Sequence, residues 1–338
     1  MLTILPCAPG ELNSLPMYNA LHYAVWAIQT GYMKIKEILR DLRRRYREPL
    51  IRLLIKLFAY LPFPVVLKVG AGFGWVLWAY NGEMRRISEK NLALCFPQFS
   101  EDEIKVLAKQ SLIETGKNIT EIATLWCKPK NKITSLVQKV EGEEHIKNAI
   151  DNGRGVILLA PHLGSWEVIG LYISPKYPMT SMYRPPEMQG LEDIVRTGRT
   201  RFGSKLVPTD VSGVRGLLAS LRKSEVIGIL PDQDPGSIGG EFAPFFNVQA
   251  NTMTLTSKLA QKTNADVIGC FARRKKNGAG YELYFAPANK KINEKNMSDS
   301  LEALNSEVEK LILKCPEQYQ WGYKRFKSRP DGEDKFYN

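Results

Sequence analysis

Histidine is scarce here: 338 residues contain three, His22, His145 and His162. Chemistry that needs a neutral-pH proton acceptor therefore has few places to sit. Cysteine is almost as scarce. The five (Cys7, Cys95, Cys127, Cys270 and Cys315) are odd in number and scattered, with no pair at metal-ligand spacing. That excludes a disulfide framework and a cysteine zinc site, and it points to a reducing compartment. Cys270 falls in an apolar strand pattern and reads as core. No G-x-S-x-G is present, and Gly164-Ser165-Trp166 lacks the second glycine, so a hydrolase with a nucleophile elbow is disfavoured. Nucleic-acid signatures such as RNP or C2H2 are missing, which argues against nucleic acid as a partner. A clean signal peptide, an internal repeat and a run of 18 uncharged apolar residues are missing as well.

Positive charge is abundant. Lysine and arginine total 47 against 35 acidic residues, a net charge of +12, in a chain that is 44% apolar. A field of that sign suits an anionic membrane or an acidic protein partner. Leu50 to Tyr80 is heavily apolar, with Arg52, Lys56 and Lys68 as its basic residues, and Pro62-Phe63-Pro64 divides it. Leu15 to Tyr32 is apolar too. Lys34 to Arg47 is basic with Ile35, Ile38, Leu39 and Leu42 at helical spacing. Two readings stay open: buried amphipathic helices, or a membrane-docked or spanning anchor over residues 1–80.

Residues 81–338 read as an α/β domain. Ser100 with Glu103 opens a helix over about 101–122. From Gly153 onward strands (155–160, 179–183, 205–207, 226–230, 267–272, 281–285) alternate with helices (from 166, 191–202, 214–221, 253–262, 301–313). This pattern predicts a mostly parallel sheet covered by helices on both faces. Ligands in such sheets bind outside the carboxyl ends of the strands. Three strand ends carry chemistry. The first delivers His162, in Pro161-His162-Leu163-Gly164-Ser165-Trp166-Glu167, with Glu167 a helical turn further on. The second delivers Arg184, a fork of donors for phosphate or carboxylate. The third delivers Asp232 and Asp234 in Pro231-Asp232-Gln233-Asp234-Pro235-Gly236; Asp232 is expected to pair with Arg184 or hold a substrate group. His162 with Glu167 suits a general base and the carboxylate that orients it. Glu241 to Phe246 is a candidate lining for an acyl groove, although Phe245 and Phe246 equally suit the core.

The H-x4-E of His162 and Glu167 resembles the signature of glycerolipid acyltransferases. From about Leu53 onward the chain resembles the lipid A late acyltransferases, the lauroyl/myristoyl family. The stretches that carry this are LPFPVVLKVGAGFG, EKNLALCFPQFSEDE, VEGEEHIKNA, the Tyr183-Arg184-Pro185 run, LPDQDPG, FAPFFNVQANT and PEQYQWGYKRFKSRPDGE. The resemblance implies an acyltransferase fold with N-terminal membrane-associated helices, at the cytoplasmic face of a bacterial inner membrane. It implies acyl transfer from acyl carrier protein to a hydroxyl of a lipid A precursor, with no cofactor or metal. His162 and Glu167 are then catalytic, and Arg184 and Asp232 contact substrate, with Asp234 the second choice for the aspartate. The carrier is acidic in that family, so Arg196, Arg199, Arg201, Arg222, Lys223, Lys324, Arg325, Lys327 and Arg329 become candidate docking residues. Another lipid acceptor, such as a lysophospholipid or ornithine lipid, or a non-catalytic basic membrane-binding role, is the alternative.

Overall fold

The computed structural model of the protein describes residues 47–186 and 189–337. The expectations on Leu15–Tyr32, on the basic segment 34–46, on His22 and on Cys7 lie outside the described residues. Residues 47–60 are helical (α1), and from residue 55 onward the chain forms one compact unit. Its elements in order are α2 (Phe63–Ala79), α3 (Glu83–Cys95), α4 (Glu101–Cys127), α5 (Lys130–Thr134), β1 (Val137–Glu141), α6 (Glu144–Asp151), β2 (Val156–Leu159), α7 (Trp166–Ile173), β3 (Met179–Tyr183) and α8 (Gln189–Thr200). They continue with β4 (Lys205–Pro208), α9 (Val211–Arg222), β5 (Val226–Ile229), β6 (Gly240–Phe245), β7 (Val248–Met253), α10 (Leu255–Thr263), β8 (Asp266–Arg274), β9 (Tyr281–Pro287) and α11 (Met297–Leu313).

Among the described residues, seven strands form the main sheet in the order β1-β9-β8-β2-β5-β3-β4. β8, β2, β5, β3 and β4 run parallel, while β9 is antiparallel to β8 and carries β1 with it. The expected mostly parallel sheet is therefore present. β2 is buried along its whole length, and its side chains alternate between two cores. Ile157 and Leu159 pack with Leu92, Leu217, Leu259 and Leu304 on one face. Val156 and Leu158 pack with Leu125, Ile146 and Val168 on the other. Cys270 is fully buried in the second of these, as its strand pattern suggested.

Ser100 forms a complete capping box with Glu103 at the start of α4. That helix runs to Cys127, five residues further than its pattern predicted. β1, the β6–β7 hairpin and the helices α3 and α5 went unread. β1 hides in a charged segment because it is an edge strand with exposed polar residues. The β6–β7 hairpin hides because its turn residues Phe246 and Asn247 take left-handed φ without a glycine.

α2 lies close against α4. A Cβ on Gly116 would fall 2.1 Å from the Gly70 carbonyl oxygen and 2.9 Å from the Gly74 Cα, so these three glycines set the approach. No single helix among the described residues is long and apolar enough to cross a membrane. α2 and α3 meet that test only as a pair, bent by 83°.

Behind the sheet α4 is tied down by a buried charge cluster. Arg274 at the end of β8 donates to Glu121 at 2.6 and 2.8 Å, to Glu114 at 2.5 Å and to Asn118 at 2.5 Å. Tyr281 adds its hydroxyl to Glu121 at 2.9 Å. Burial opposes the Arg274 charge, but the two glutamates outweigh it and hold the guanidinium charged.

Candidate active site

The site follows from strand register. β2 and β5 are parallel neighbours with Leu159 opposite Ile229. Three residues past each lie His162 and Asp232, so equal offsets bring them to the same height on one rim. Asp232 Oδ1 lies 2.9 Å from His162 Nδ1, and its Oδ2 accepts the His162 backbone N–H at 2.9 Å. The aspartate is 3% exposed. Burial alone would push its carboxyl up, but the charge of His162 and the hydrogen bonds from it outweigh burial and hold the carboxyl below its usual range. With Nδ1–H donating to Asp232, Nε2 carries the lone pair. The Gln233 amide nitrogen lies 3.3 Å from it, and Trp166 packs edge-on at 4.9 Å between ring centroids.

This corrects the expected partner of His162. The Glu167 carboxylate takes its hydrogen bonds from α8 and α4 and none from the ring. It accepts from Arg199 Nε at 3.1 and 3.2 Å, from Arg199 Nη2, and from the Trp126 indole N–H at 3.3 Å. The physical reason is the turn before α7. Gly164 has φ +59°, and a Cβ there would sit 2.1 Å from the Ala272 carbonyl oxygen. Gly164 and Ser165 are fastened to the Gln318 and Ala272 carbonyls, so α7 starts in an orientation that aims Glu167 across to α8. Arg199, expected on a docking surface, is instead an internal partner. Burial opposes its charge, and Glu167 more than compensates.

Arg184 is exposed, and among the described residues it makes no ion pair; Asp232 is paired with His162 instead. β3 pairs with β5 only as far as Ser181 and then follows β4, with Tyr183 opposite Pro208. Arg184 is therefore carried away from the β2–β5 rim. Asp234 is a turn residue. Its carboxylate accepts from the Gly236 N–H (2.7 Å), the Asn251 amide (3.0 Å) and the Ser328 N–H (3.1 Å), which uses it within the protein. Phe245 is buried against Phe326 and Phe246 packs against the same core, as the core reading of these two expected, while Phe242 is exposed. Arg201, Arg325 and Arg329 also turn inward, onto backbone carbonyls of Leu125, Asn251 and Gln249 at 2.6 Å each.

A cavity of about 110 Å³ opens beside this rim. Glu167, Arg199 and Trp166 stand among its lining, and Leu158, Ile169, Leu171, Met179, Met182, Leu206 and Ile229 make the rest largely apolar.

The sequence matches the family model described as bacterial lipid A biosynthesis acyltransferase over residues 33–328. The chain belongs to that family. It is similar to the lipid A biosynthesis lauroyltransferase of Escherichia coli, 31% identical over 277 residues that span 82% of this chain and 90% of the relative. It is equally similar to the palmitoleoyltransferase of the same organism, 31% identical over 283 residues, 83% and 91% of the two chains. A lipid A biosynthesis acyltransferase of Haemophilus influenzae is 32% identical over 276 residues, 80% and 87% of the two.

Proposed function

We propose that this chain transfers a fatty acyl group from an acyl carrier protein thioester to a hydroxyl of a lipid A precursor. The step belongs to the late acylation of lipopolysaccharide assembly, at the cytoplasmic face of the inner membrane. The observation that carries the reading is the His162–Asp232 pair on the sheet rim, with an apolar cavity beside it. His162 Nε2 takes the hydroxyl proton as the acceptor oxygen attacks the thioester carbonyl. Asp232 holds the ring in the needed tautomer and stabilises the imidazolium. The tetrahedral intermediate then collapses, the C–S bond breaks, and the leaving sulfur takes the proton back from His162. Ser165 makes no side-chain cap at the start of α7, and with the Val168 N–H donating to the Ser165 carbonyl at 3.0 Å, the Trp166 and Glu167 N–H groups are the ones left for the oxyanion. Glu167 acts by holding Arg199 at the cavity mouth. No residue in this scheme calls for a metal or cofactor. Arg184, exposed just past the end of β3 and off that rim, keeps a role toward the anionic groups of the acceptor.

The test is mass spectrometry of a Kdo-bearing tetra-acylated lipid A precursor incubated with this protein and a panel of acyl carrier protein thioesters. One added acyl chain is expected, and His162→Ala should lower its rate by about 10²-fold or more. Undiminished transfer in that variant would remove His162 as the base. Transfer only to a lysophospholipid or ornithine lipid would replace the acceptor.

The cavity gives a second expectation. Gly170 of α7 lines it, and a Cβ there would meet no atom within 4 Å. Gly170→Leu should fill this space and shift donor preference to shorter chains. The ratio of products from mixed thioesters measures this, and an unchanged ratio would place the acyl chain elsewhere.

The exposed face of α2 supports membrane docking. Val65, Val69, Phe73, Val76 and Tyr80 recur at spacings of three and four and are 40–83% exposed. Because α2 also packs on α4, deleting residues 1–80 would strip a structural helix. Phe73→Asp with Val76→Asp is the cleaner change. It should reduce flotation with anionic lipid vesicles several-fold while the melting temperature holds. Unchanged flotation would point to another surface.

A further inference from the structure

The nitrogen that carries the lone pair of His162 already has a partner. Asp232 Oδ1 accepts from Nδ1 at 2.9 Å, so the ring proton sits on Nδ1 and Nε2 acts only as an acceptor. The Gln233 side-chain nitrogen stands 3.3 Å from Nε2, and an amide NH₂ acts only as a donor. The amide therefore covers the atom that is to receive the acceptor proton. Among the described residues the Gln233 side chain makes no other hydrogen bond. Its placement is built in. Gln233 lies in a loop bounded by Pro231 and Pro235, whose rings fix φ at both ends. On one side of it, Asp232 bonds the His162 ring and backbone N–H. On the other side, the Asp234 N–H donates to the Tyr323 hydroxyl at 3.1 Å, and the Asp234 carboxylate accepts from the Gly236, Asn251 and Ser328 nitrogens. The histidine is fastened as well: the Gln320 N–H donates to the His162 carbonyl at 3.1 Å, and the Gly164 N–H donates to the Gln318 carbonyl at 3.0 Å. Both ends of the contact hang from anchored backbone, while the Gln233 side chain is itself only partly buried. Trp166 and Leu230 line the neighbouring cavity and Gln233 does not, so the amide stands clear of the space read as taking the donor chain.

We propose that Gln233 determines which hydroxyl the base can use: its amide caps Nε2 of His162 until a lipid hydroxyl displaces it, and this restrains acyl transfer to water. The proposal rests on the reading of His162 as base. The exchange at Nε2 decides the direction. Water that replaces the amide swaps one hydrogen bond for another and has to be held in place besides, so it gains little. A lipid acceptor is held by contacts along the rest of its length. Those contacts move the amide aside and bring the hydroxyl to Nε2. The hydroxyl proton then passes to Nε2 as its oxygen bonds to the thioester carbonyl carbon. The intermediate expels the sulfur, which takes that proton. With water in place of the lipid, the same steps release a free fatty acid and the carrier thiol, and this is the reaction that the cap holds back.

Two readouts on the full chain in detergent test this. The first needs no substrate: the rate at which diethyl pyrocarbonate modifies His162 at neutral pH, resolved from His22 and His145 by peptide mass spectrometry. With Nδ1 engaged by Asp232, the reagent attacks at Nε2. Gln233→Met keeps bulk beside the ring and removes the donor, and Gln233→Ala removes both. Each should raise the modification rate by roughly three- to tenfold, the worth of one ordinary hydrogen bond. The second readout is the fate of an acyl carrier protein thioester offered with the Kdo-bearing tetra-acylated lipid A precursor. Both variants should raise the ratio of free fatty acid to acylated lipid several-fold. A merely structural role would lower both products together and leave their ratio unmoved. If Gln233→Ala fails to fold, Gln233→Met decides. An unchanged modification rate in Gln233→Met would reduce the side chain to steric cover and overturn the proposal, as would faster modification with an unmoved product ratio. Faster modification in both variants, with no acyl transfer by the wild type, would uphold the cap on Nε2 and fault the assigned reaction instead.

Discussion

Asp232→Asn should lower acyl transfer by about 10³–10⁴-fold while the protein remains folded. The amide matches the carboxylate in shape, so packing under β5 is kept. It loses the charge that stabilises the imidazolium, and its NH₂ group can hold the ring in the tautomer with the proton on Nε2, where the base is useless. The His162 N–H still has the amide oxygen as an acceptor, so the loop keeps its anchor. The same comparison separates two carboxylates. Glu167→Gln should cost less, because Glu167 touches Arg199 and Trp126 and not the ring. Single-turnover rates for the two variants, beside their melting temperatures, check this. A Glu167→Gln loss equal to that of Asp232→Asn would return Glu167 to the reacting atoms. Acid should act on the same bond. The Asp232 carboxyl is held below its usual range when folded, so its contribution to stability is present above about pH 4 and is lost as pH falls through the folded value.

The second large effect is on stability. Arg274→Ala should destabilise the protein by about 3–5 kcal/mol, because Glu121 and Glu114 are left buried without a counter-charge. Urea midpoints measure it. The defect should shrink on acidification, as protonation removes the unpaired charges. A loss below about 1 kcal/mol would mean that water reaches this cluster. Replacing Arg274 and Glu121 together by apolar residues should cost less than either single change.

The sheet was legible because its central strands are short apolar runs between turn residues, and β3 begins and ends where the pattern put it. The edges were harder to read. β1 is polar because one side of it meets solvent, and the β6–β7 turn uses residues that carry no turn signature. His162 and Asp232 were both visible as strand-end residues, but their pairing was not. It depends on β2 lying next to β5, and strand order is a property of the folded sheet. The spacing of four between His162 and Glu167 suggested a contact that the turn at Gly164 prevents. Arg199 looked like any surface cation, since its face of α8 is decided by Trp126 and Glu167 from other elements. The C-terminal run was conspicuous as a string of unusual residues, yet only its hydrogen bonds reveal what it holds.

The order in which the chain is made gives those bonds a temporal meaning. The loops bearing His162 and Asp232 leave the ribosome well before Tyr319 and Arg325 do. Until then a nascent chain can pair its parallel strands, but the loop after β2 lacks the Gln318 and Gln320 backbone partners of Gly164 and His162. A product truncated before residue 318 lacks these partners, and it lacks Tyr319, Trp321 and Phe326 of the core as well.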